Sequence, residues 1–325
     1  SPVVFALLFM GVTALIVYKG VEDGIEKVSR FMMPILLVLV VVIAIYSLTL
    51  HDTDASGQVR TGMEGFLYYI TPHVEGLTVK RFLQILLDAM SQLFFSLSVS
   101  MGIMITYGSY VKPEVNLNRA VNQIELFDTG VALLAGVMII PAVYVFSGTD
   151  GMSAGPSLMF ISLPKVFAAM GKAGTIVGIL FFVAAIFATL TSCISVLESI
   201  AANCVEIFHA SRKKVVLVLA VIYLAASAII ALGYSVFYVE VALPNGSVGQ
   251  LLDIMDYISN SVMMPLISLL STILIGWIMK PQYVIGEMER NGEHFRRKAM
   301  YSVMIRYIAP VLMFILFLQS TGILA

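Results

Sequence analysis

The sequence predicts an all-α polytopic membrane protein with about eight transmembrane helices. Of its 325 residues, 59% are hydrophobic and only 12% are charged, and the mean hydropathy is +0.96. A soluble domain has about 25% charged residues, so this chain has too few polar side chains to cover a water-soluble globule. Apolar stretches of about 17–25 residues, the length that crosses a bilayer as a helix, recur along the whole chain. The net charge of −1 gives no electrostatic support for binding nucleic acid.

The eight predicted spans follow one another along the chain. They lie at residues 1–19, 31–50, 82–110, 125–147, 173–208, 214–237, 256–279 and 300–323. Several of them are longer than a bilayer requires, so tilted or interrupted helices are expected. The first apolar segment starts at Ser1 and has no basic residues before it, so it is not expected to be a signal peptide. We therefore expect an N-terminally incomplete protein.

Lysine and arginine residues are distributed unevenly between the two sides of the predicted bundle. Fourteen of the 19 lie on the side with the loops near residues 20–30, 112–119, 209–214 and 280–298, and five lie on the other side. Cytoplasmic loops are enriched in these residues. The basic side is therefore predicted to be cytoplasmic, in a multi-pass protein of the cell (inner) membrane.

Two segments on the other side have a character of their own. Residues 62–69, within the long outer loop, have the composition of a short interfacial helix. The 148–172 loop is too apolar for a plain linker and is broken by Gly and Pro, which predicts an extracellular lid. No soluble domain is evident, so residues 1–325 are interpreted as a single transmembrane domain.

The 148–172 loop also contains GMSAG at residues 151–155, which fits the G-x-S-x-G pattern of serine hydrolases. That motif requires a preceding strand and a following helix. All four histidines lie in loops, so no histidine in a span could act as the base or pair with another as a metal ligand. The sequence does not predict an enzyme.

The third span contains FFSLSVSMG at residues 94–102, with serines at positions 96, 98 and 100 before Gly102. A continuous helix would scatter these hydroxyls around its circumference, whereas an extended backbone would align them. One interpretation is that each serine bonds back to the carbonyl one turn earlier and the helix continues. The other is an interrupted helix, whose freed carbonyls, amides and hydroxyls bind a cation and a zwitterionic ligand.

Other polar side chains also fall within the spans, where they are expected to be functional. Thr191 and Ser192 offer adjacent hydroxyls, which suit Na⁺ as hard oxygen ligands or else make ordinary interhelical hydrogen bonds. Asp128 opens the fourth span, either as a solvated helix end or as a cation ligand that brings a negative charge. The other acids of interest are Asp88, Glu198 and Glu206 within spans, with Asp253 and Asp256 at the outer end of the seventh span.

Five long motifs together resemble the neurotransmitter:sodium symporter family, in its bacterial amino-acid branch. They are SQLFFSLSVSMGIMITYGSYV (91–111), LFDTGVALLAGVMIIPAVYVF (126–146), GPSLMFISLPKVF (155–167), FATLTSCISVLE (187–198) and LLDIMDYISN (251–260). The resemblance covers nearly the whole chain and implies a single transporter domain with the LeuT-like inverted-repeat fold and a broken helix near 96–102. By the same resemblance, the eight helices look like the family's fourth to eleventh, and the first three helices of the same protein are missing.

The resemblance also implies a set of site residues. The implied sodium ligands are Ser96, Asp128, the Ala188 carbonyl, Thr191 and Ser192. The implied substrate pocket comprises Phe95, Ser98, Ser100, Met101 and Val196. The implied outer gate contains Gln92 and Asp256, and the inner gate contains Ser109, Tyr110 and Glu206. Glu198 also matches the family pattern. Its role is either a hydrogen bond to the backbone of the broken helix or an ordinary hydrogen bond between helices.

Three positions depart from the common family pattern. By the resemblance, Asp128 stands where relatives place an Asn ligand, or close to that position carries the charge that replaces chloride. Either placement of a carboxylate predicts that chloride is not required. Many relatives have an aromatic residue where Met101 stands, and a flexible thioether adapts to large side chains, which favours a hydrophobic or aromatic amino acid. Ser100 replaces a common glycine.

The function that the resemblance implies is sodium-coupled symport of an amino acid across the membrane by alternating access. Na⁺ is then the co-transported ion, and the lipid bilayer and the amino acid are the partners. Transport of another small organic solute and an ion channel are the alternatives. A channel would show repeated pore loops or rings of like residues, whereas this chain has one serine row and one Thr-Ser pair on different helices.

Overall fold

The computed structural model describes residues 2–53, 59–72, 74, 76–149, 158–244, 246 and 248–323. Most of these residues are helical. The α-helices are α1 (Pro2–Tyr18), α2 (Lys27–Leu48), α3 (Gly62–Ile70), α4 (Val79–Ser96), α5 (Ile103–Tyr110), α6 (Leu117–Ser147), α7 (Leu163–Ala169), α8 (Gly171–Phe208), α9 (Arg212–Leu232), α10 (Leu251–Asp256), α11 (Met264–Ile273), α12 (Pro281–Met288), α13 (Lys298–Val303) and α14 (Ala309–Ser320).

Short π-helical segments extend or join several of these helices. They are Val21–Glu26, Leu158–Ser162, Tyr257–Met263, Leu274–Ile278 and Met304–Ile308. Two antiparallel strand pairs lie in loops: β1 (His51–Thr53) with β2 (Val59–Thr61), and β3 (Val241–Ala242) with β4 (Val248–Gly249). The π-helical segments were not predicted, because a shift of the backbone hydrogen bonds from i→i+4 to i→i+5 leaves the apolar composition of a span unchanged.

Helices occupy every one of the eight predicted spans. Within the described residues, six helical segments are long and apolar enough to cross a membrane: Val21–Leu48, Leu117–Ser147, Gly171–Phe208, Arg212–Leu232, Leu251–Ile278 and Lys298–Ser320. The first predicted span is the 17-residue α1, and the third is divided between α4 and α5. The helical segment of the second span begins at Val21, earlier than predicted, because the charged turns before α2 are also helical. An ion pair of 2.6 Å joins Glu26 of these turns to Arg30 of α2.

The helix of the third span is interrupted at the row of serines, as one of the two interpretations of the sequence predicted. α4 ends at Ser96 and α5 begins at Ile103, and residues 97–102 are not helical. Alternate residues of the break have positive φ angles, at Ser98 (52°), Ser100 (68°) and Gly102 (77°). Because a left-handed residue cannot continue a right-handed helix, this alternation is what interrupts the span.

The chain divides into two compact units. The first comprises Ser1–Gly24, Thr78–Ile124 and Cys193–Ala325. Within it α1 packs against α9, and α11 packs against α14. The aromatic rings of Trp277 and Tyr307 meet edge to face, with centroids 5.8 Å apart, beside the close approach of Gly276 to the backbone of Arg306. This unit contains the broken helix.

The second unit comprises Ile25–Leu77 and Glu125–Ser192. Its core contains buried side chains such as Ile43, Val143 and Leu163, together with the ring cluster of Phe167 and Phe181, whose centroids are 5.5 Å apart. This apolar core binds α2, α6, α7 and the first part of α8 together.

The short segment predicted at 62–69 is helix α3. A capping box opens it, because the Thr61 hydroxyl accepts from the Glu64 amide (3.3 Å) and the Glu64 carboxylate accepts from the Thr61 amide (2.8 Å). Gly65 allows α3 to approach α6, since a Cβ there would lie 2.7 Å from Cα of Pro141. Its position at a membrane interface stays a prediction.

The predicted 148–172 lid is described in part. Its residues 158–169 form a π-helical turn and α7, and Leu163 and Val166 are buried in the core of the second unit. The GMSAG motif at 151–155 lies outside the described residues. The role of the segment as a lid stays a prediction.

Candidate functional site

The break between α4 and α5 places two helix ends next to each other. The amides of Leu97, Ser98 and Val99 donate back to the carbonyls of α4 at 3.0–3.1 Å and close its C-terminal end. The next three amides, of residues 100–102, have no backbone acceptor in the part of the chain that the structure describes. The C-terminal end of α4 therefore offers a partial negative charge, and the N-terminal end of α5 offers free amides and a partial positive charge.

The predicted substrate residues are concentrated at this break. Ser98, Ser100 and Met101 are half-buried within it, and Phe95 lies on the last turn of α4. Ser100 shares a 2.5 Å hydrogen bond with Ser268 of α11. Val196, the fifth residue of the predicted pocket, is half-buried on α8 within the same unit.

The predicted ligands of the first sodium site lie on two helices. Ser96 is the last residue of α4, and Asp128 is half-buried on α6. They belong to different units, and each is described within its own. Their joint role stays a prediction.

The predicted ligands of the second sodium site form one cluster on α8. The Thr191 hydroxyl donates to the Ala188 carbonyl at 2.9 Å, and the Ser192 hydroxyl donates to the same carbonyl at 3.1 Å. Thr191 is buried. A hydroxyl oxygen that donates its proton in this way can also accept or bind a cation through its lone pairs. Three neutral hard oxygens are thus gathered within one turn.

A buried charge pair joins the helices around α5. Glu198 is completely buried on α8, and both of its carboxylate oxygens bind the guanidinium of Arg212, one of them at 2.8 Å from Nη1. The Tyr110 hydroxyl donates to the same carboxylate at 2.6 Å, and Arg212 Nη2 donates to the Val17 carbonyl at 3.2 Å. A bidentate, charge-assisted pair of this kind is the strong form of the hydrogen bond. The network joins α1, α5, α8 and α9.

This network resolves the open role of Glu198 in favour of interhelical bonds. Arg212 was predicted to lie in a cytoplasmic loop, and its part in the network was not predicted. The sequence gives one signal, because a carboxylate buried in a span requires a cation, but it does not show which basic residue supplies that cation.

Two hydroxyl pairs continue the contact between α5 and α8. Tyr107 and Ser195 share a hydrogen bond of 2.7 Å, and the Thr106 hydroxyl donates to that of Ser199 at 3.1 Å. A Cβ at Gly102 would lie 2.9 Å from Ser199 Oγ. Gly102 is therefore required both by its positive φ and by the close approach of α8.

The predicted gate residues have different surroundings. Tyr110 joins the Glu198 network, and Ser109 donates to the Thr106 carbonyl of its own helix at 2.6 Å. Asp256 ends α10 and accepts from Asn260 at 2.6 Å. Within the described residues, no hydrogen bond joins Asp256 to Gln92, which is exposed on α4, and Glu206 is exposed on α8. The gate assignments stay predictions.

The oxygen atoms at these sites suit an alkali cation. Among the described residues, there is no group of three or more His, Cys, Asp or Glu side chains that could hold a metal ion. Hydroxyl and carbonyl oxygens, with a carboxylate on α6, are the donors that remain, and these are hard ligands.

Opposed half-helix ends within a membrane-spanning bundle are where secondary transporters bind solute and ions. The fold and the site are therefore of the kind found in multi-pass membrane transporters. The chain belongs to the sodium:neurotransmitter symporter family, whose model matches residues 3–324. The predicted family is thereby confirmed, and both fold and family are those of transporters rather than enzymes.

Similar proteins agree with this assignment. The chain is 34% identical over 321 residues to the uncharacterized sodium-dependent transporter YhdH of Bacillus subtilis, which covers 98% of this chain and 66% of the relative. It is 33% identical to MhsT in the crystal structure of MhsT in complex with L-phenylalanine, with a TM-score of 0.80 over 98% of this chain and 68% of that one. The likeness to MhsT confirms the predicted LeuT-like fold.

A more distant relative is a sodium- and chloride-dependent taurine transporter of Rattus norvegicus. It is 26% identical over 204 residues, which are 61% of this chain and 31% of the relative. The match to the Bacillus subtilis relative includes nearly all of this chain but only about two thirds of the relative's length.

Proposed function

We propose that the protein carries out sodium-coupled symport of an amino acid across the cell (inner) membrane by alternating access. The observation that carries the proposal is the break between α4 and α5, with its free amides and its row of serines. The family, the bacterial relative described as a sodium-dependent transporter, and the amino acid bound to MhsT support the same function.

The break suits a zwitterion because its two helix ends have opposite polarity. The amides at the start of α5 attract the carboxylate of an amino acid, and the carbonyls at the end of α4 attract a cation or an ammonium group. The pocket residues proposed here are Phe95, Ser98, Ser100, Met101 and Val196. The thioether of Met101 adapts to a large apolar side chain, which favours a hydrophobic or aromatic amino acid.

Na⁺ is proposed to bind in two places. Ser96 and Asp128 are the proposed ligands of one ion, and the α8 cluster of Ala188, Thr191 and Ser192 holds the other. The carboxylate of Asp128 supplies a fixed negative charge, so transport is proposed to be independent of chloride. The coupling is thermodynamic. Bound Na⁺ raises the affinity for the amino acid by the same factor by which the bound amino acid raises the affinity for Na⁺.

The Glu198 network is proposed to hold the inner side closed. It lies at the end of α5 and the start of α9, next to the basic segment predicted to be cytoplasmic. Alternating access requires an element with two arrangements. Separation of Tyr110 and Arg212 from the Glu198 carboxylate would free α5 to move from α8.

A thermal-shift panel on the purified full-length protein tests this function. The twenty amino acids are compared in NaCl and in KCl, because a ligand that binds only the folded state raises its stability in proportion to the logarithm of its concentration over Kd. The proposal expects a few hydrophobic or aromatic amino acids to raise the Tm in NaCl alone. A protein that no amino acid stabilises in either salt would contradict it.

A further inference from the structure

Ser100 has a backbone conformation that its side chain disfavours. Its φ of 68° lies in the left-handed region, where glycine is at ease and a residue with a Cβ is strained. Gly102, two residues later, takes a similar φ of 77° without that penalty. A left-handed serine persists only where its surroundings over-determine it.

The group that restrains Ser100 is the hydroxyl of Ser268, 2.5 Å from the Ser100 hydroxyl. Ser268 is only 3% exposed and lies with Met264 and Pro265 on the buried face of α11. A buried hydroxyl on an otherwise apolar face requires a partner. Ser100 is that partner, although the two residues are 168 positions apart in the chain.

The two serines differ in how firmly each is held. Ser268 is in the middle of a helix that packs against α14, so its position is fixed. Ser100 lies in the non-helical break, where the next two amides have no backbone acceptor among the described residues. Ser268 is therefore the more firmly held partner of this hydrogen bond.

We propose that Ser268 is a positioning residue for the substrate site, which holds Ser100 in its left-handed conformation and thereby orients the free amides of residues 100–102. The inference rests on the proposed function, since those amides are the ones assigned to the carboxylate of the amino acid. Pre-organised donors bind more tightly than donors that must be ordered by the ligand. Ser268 thus acts on substrate affinity without touching the substrate.

Amide hydrogen exchange gives a test that does not depend on transport. Full-length wild type, Ser268→Ala and Ser268→Thr are compared in NaCl without amino acid, over peptides that cover residues 97–102. Ser268→Ala is expected to exchange faster there, whereas Ser268→Thr keeps a hydroxyl and the wild-type rate. Equal rates in Ser268→Ala and wild type would overturn the inference.

Uptake kinetics give the second test, with L-phenylalanine as the probe in proteoliposomes. Ser268→Ala is expected to raise the KM about five-fold, the effect of one buried hydrogen bond, and to leave the maximal rate within about two-fold. Ser227→Ala is the matched control, because among the described residues its hydroxyl bonds only to the Leu224 carbonyl of its own helix α9. A fall in maximal rate with an unchanged KM would contradict a positioning role.

A double-mutant cycle separates the tether from a general packing effect. A glycine at position 100 takes the left-handed conformation without help, so Ser268→Ala should add no further change in a Ser100→Gly background. Equal effects of Ser268→Ala in both backgrounds would refute the inference. If wild type shows no sodium-dependent uptake of any amino acid, the proposed function fails, and the exchange experiment alone decides the tether.

Discussion

Removal of the Arg212 side chain should destabilise the protein strongly, because Glu198 would lose the cation that neutralises it. Glu198 has no exposed surface, and both its oxygens bind the guanidinium. Breaking a buried pair by removing one partner costs about 3–5 kcal/mol. The Arg212 side chain is itself 29% exposed, so water can reach part of the site and the lower end, about 3 kcal/mol, is expected for Arg212→Ala.

The assay is thermal unfolding of the purified full-length protein in one detergent. A loss of about 3 kcal/mol corresponds to a fall in Tm of roughly 6 °C, at about 2 °C per kcal/mol for a large chain. The Tm of Arg212→Lys should lie between those of wild type and Arg212→Ala, because a lysine keeps the charge but lacks the planar fork that donates to both carboxylate oxygens.

A double variant removes the stranded charge and completes the comparison. Glu198→Gln combined with Arg212→Met leaves no buried ion, so its Tm should exceed that of Arg212→Ala by several degrees, about half of the loss or more. An Arg212→Ala protein as stable as wild type would refute the reasoning. So would a double variant no more stable than Arg212→Ala alone.

Three further outcomes are expected. Thr191→Ala and Ser96→Ala should each raise about ten-fold the Na⁺ concentration needed for the substrate-induced rise in Tm, as measured by titrating Na⁺ in the thermal-shift assay. An unchanged sodium affinity in both variants would contradict the assignment of these residues to the sodium sites. Asp128→Asn should make uptake rise with added chloride, and uptake that ignores chloride would count against the charge role of Asp128. The Phe295 amide, 3.1 Å from the Glu289 carboxylate, lowers the pKa of Glu289. The resulting stabilisation is present above the ordinary carboxyl pKa and is lost as the pH falls through the lowered value, so the Tm difference between wild type and Glu289→Gln should vanish in acid and persist at pH 7.

The sequence could predict the break because part of its cause is local. Serines at every second position do not suit a continuous membrane helix, and two of them, Ser98 and Ser100, have the left-handed φ that ends it. Spans, too, follow from composition, since lipid requires long apolar helices. The observed helix ends differ from the predicted span ends where charged turns such as Val21–Glu26 are also helical.

The contacts between distant segments could not be predicted in this way. Ser100 and Ser268 are both small polar residues in apolar stretches, and nothing local in either marks the other as its partner. Arg212 was placed in a loop because it stands beside two lysines, whereas the turn after α8 brings its guanidinium back to Glu198. Such pairings depend on how whole helices pack, which composition and period do not encode.

Sodium-driven uptake into proteoliposomes containing the full-length protein tests the central claim most directly. Radiolabelled L-phenylalanine, leucine and tryptophan are offered with an inward Na⁺ gradient, with equal Na⁺ on both sides, or with K⁺ in place of Na⁺. Sodium-coupled symport predicts that the amino acid accumulates above its outside concentration only with the inward Na⁺ gradient, and that it does not accumulate in K⁺. Uptake that only equilibrates and is the same in all three conditions would contradict sodium-coupled symport.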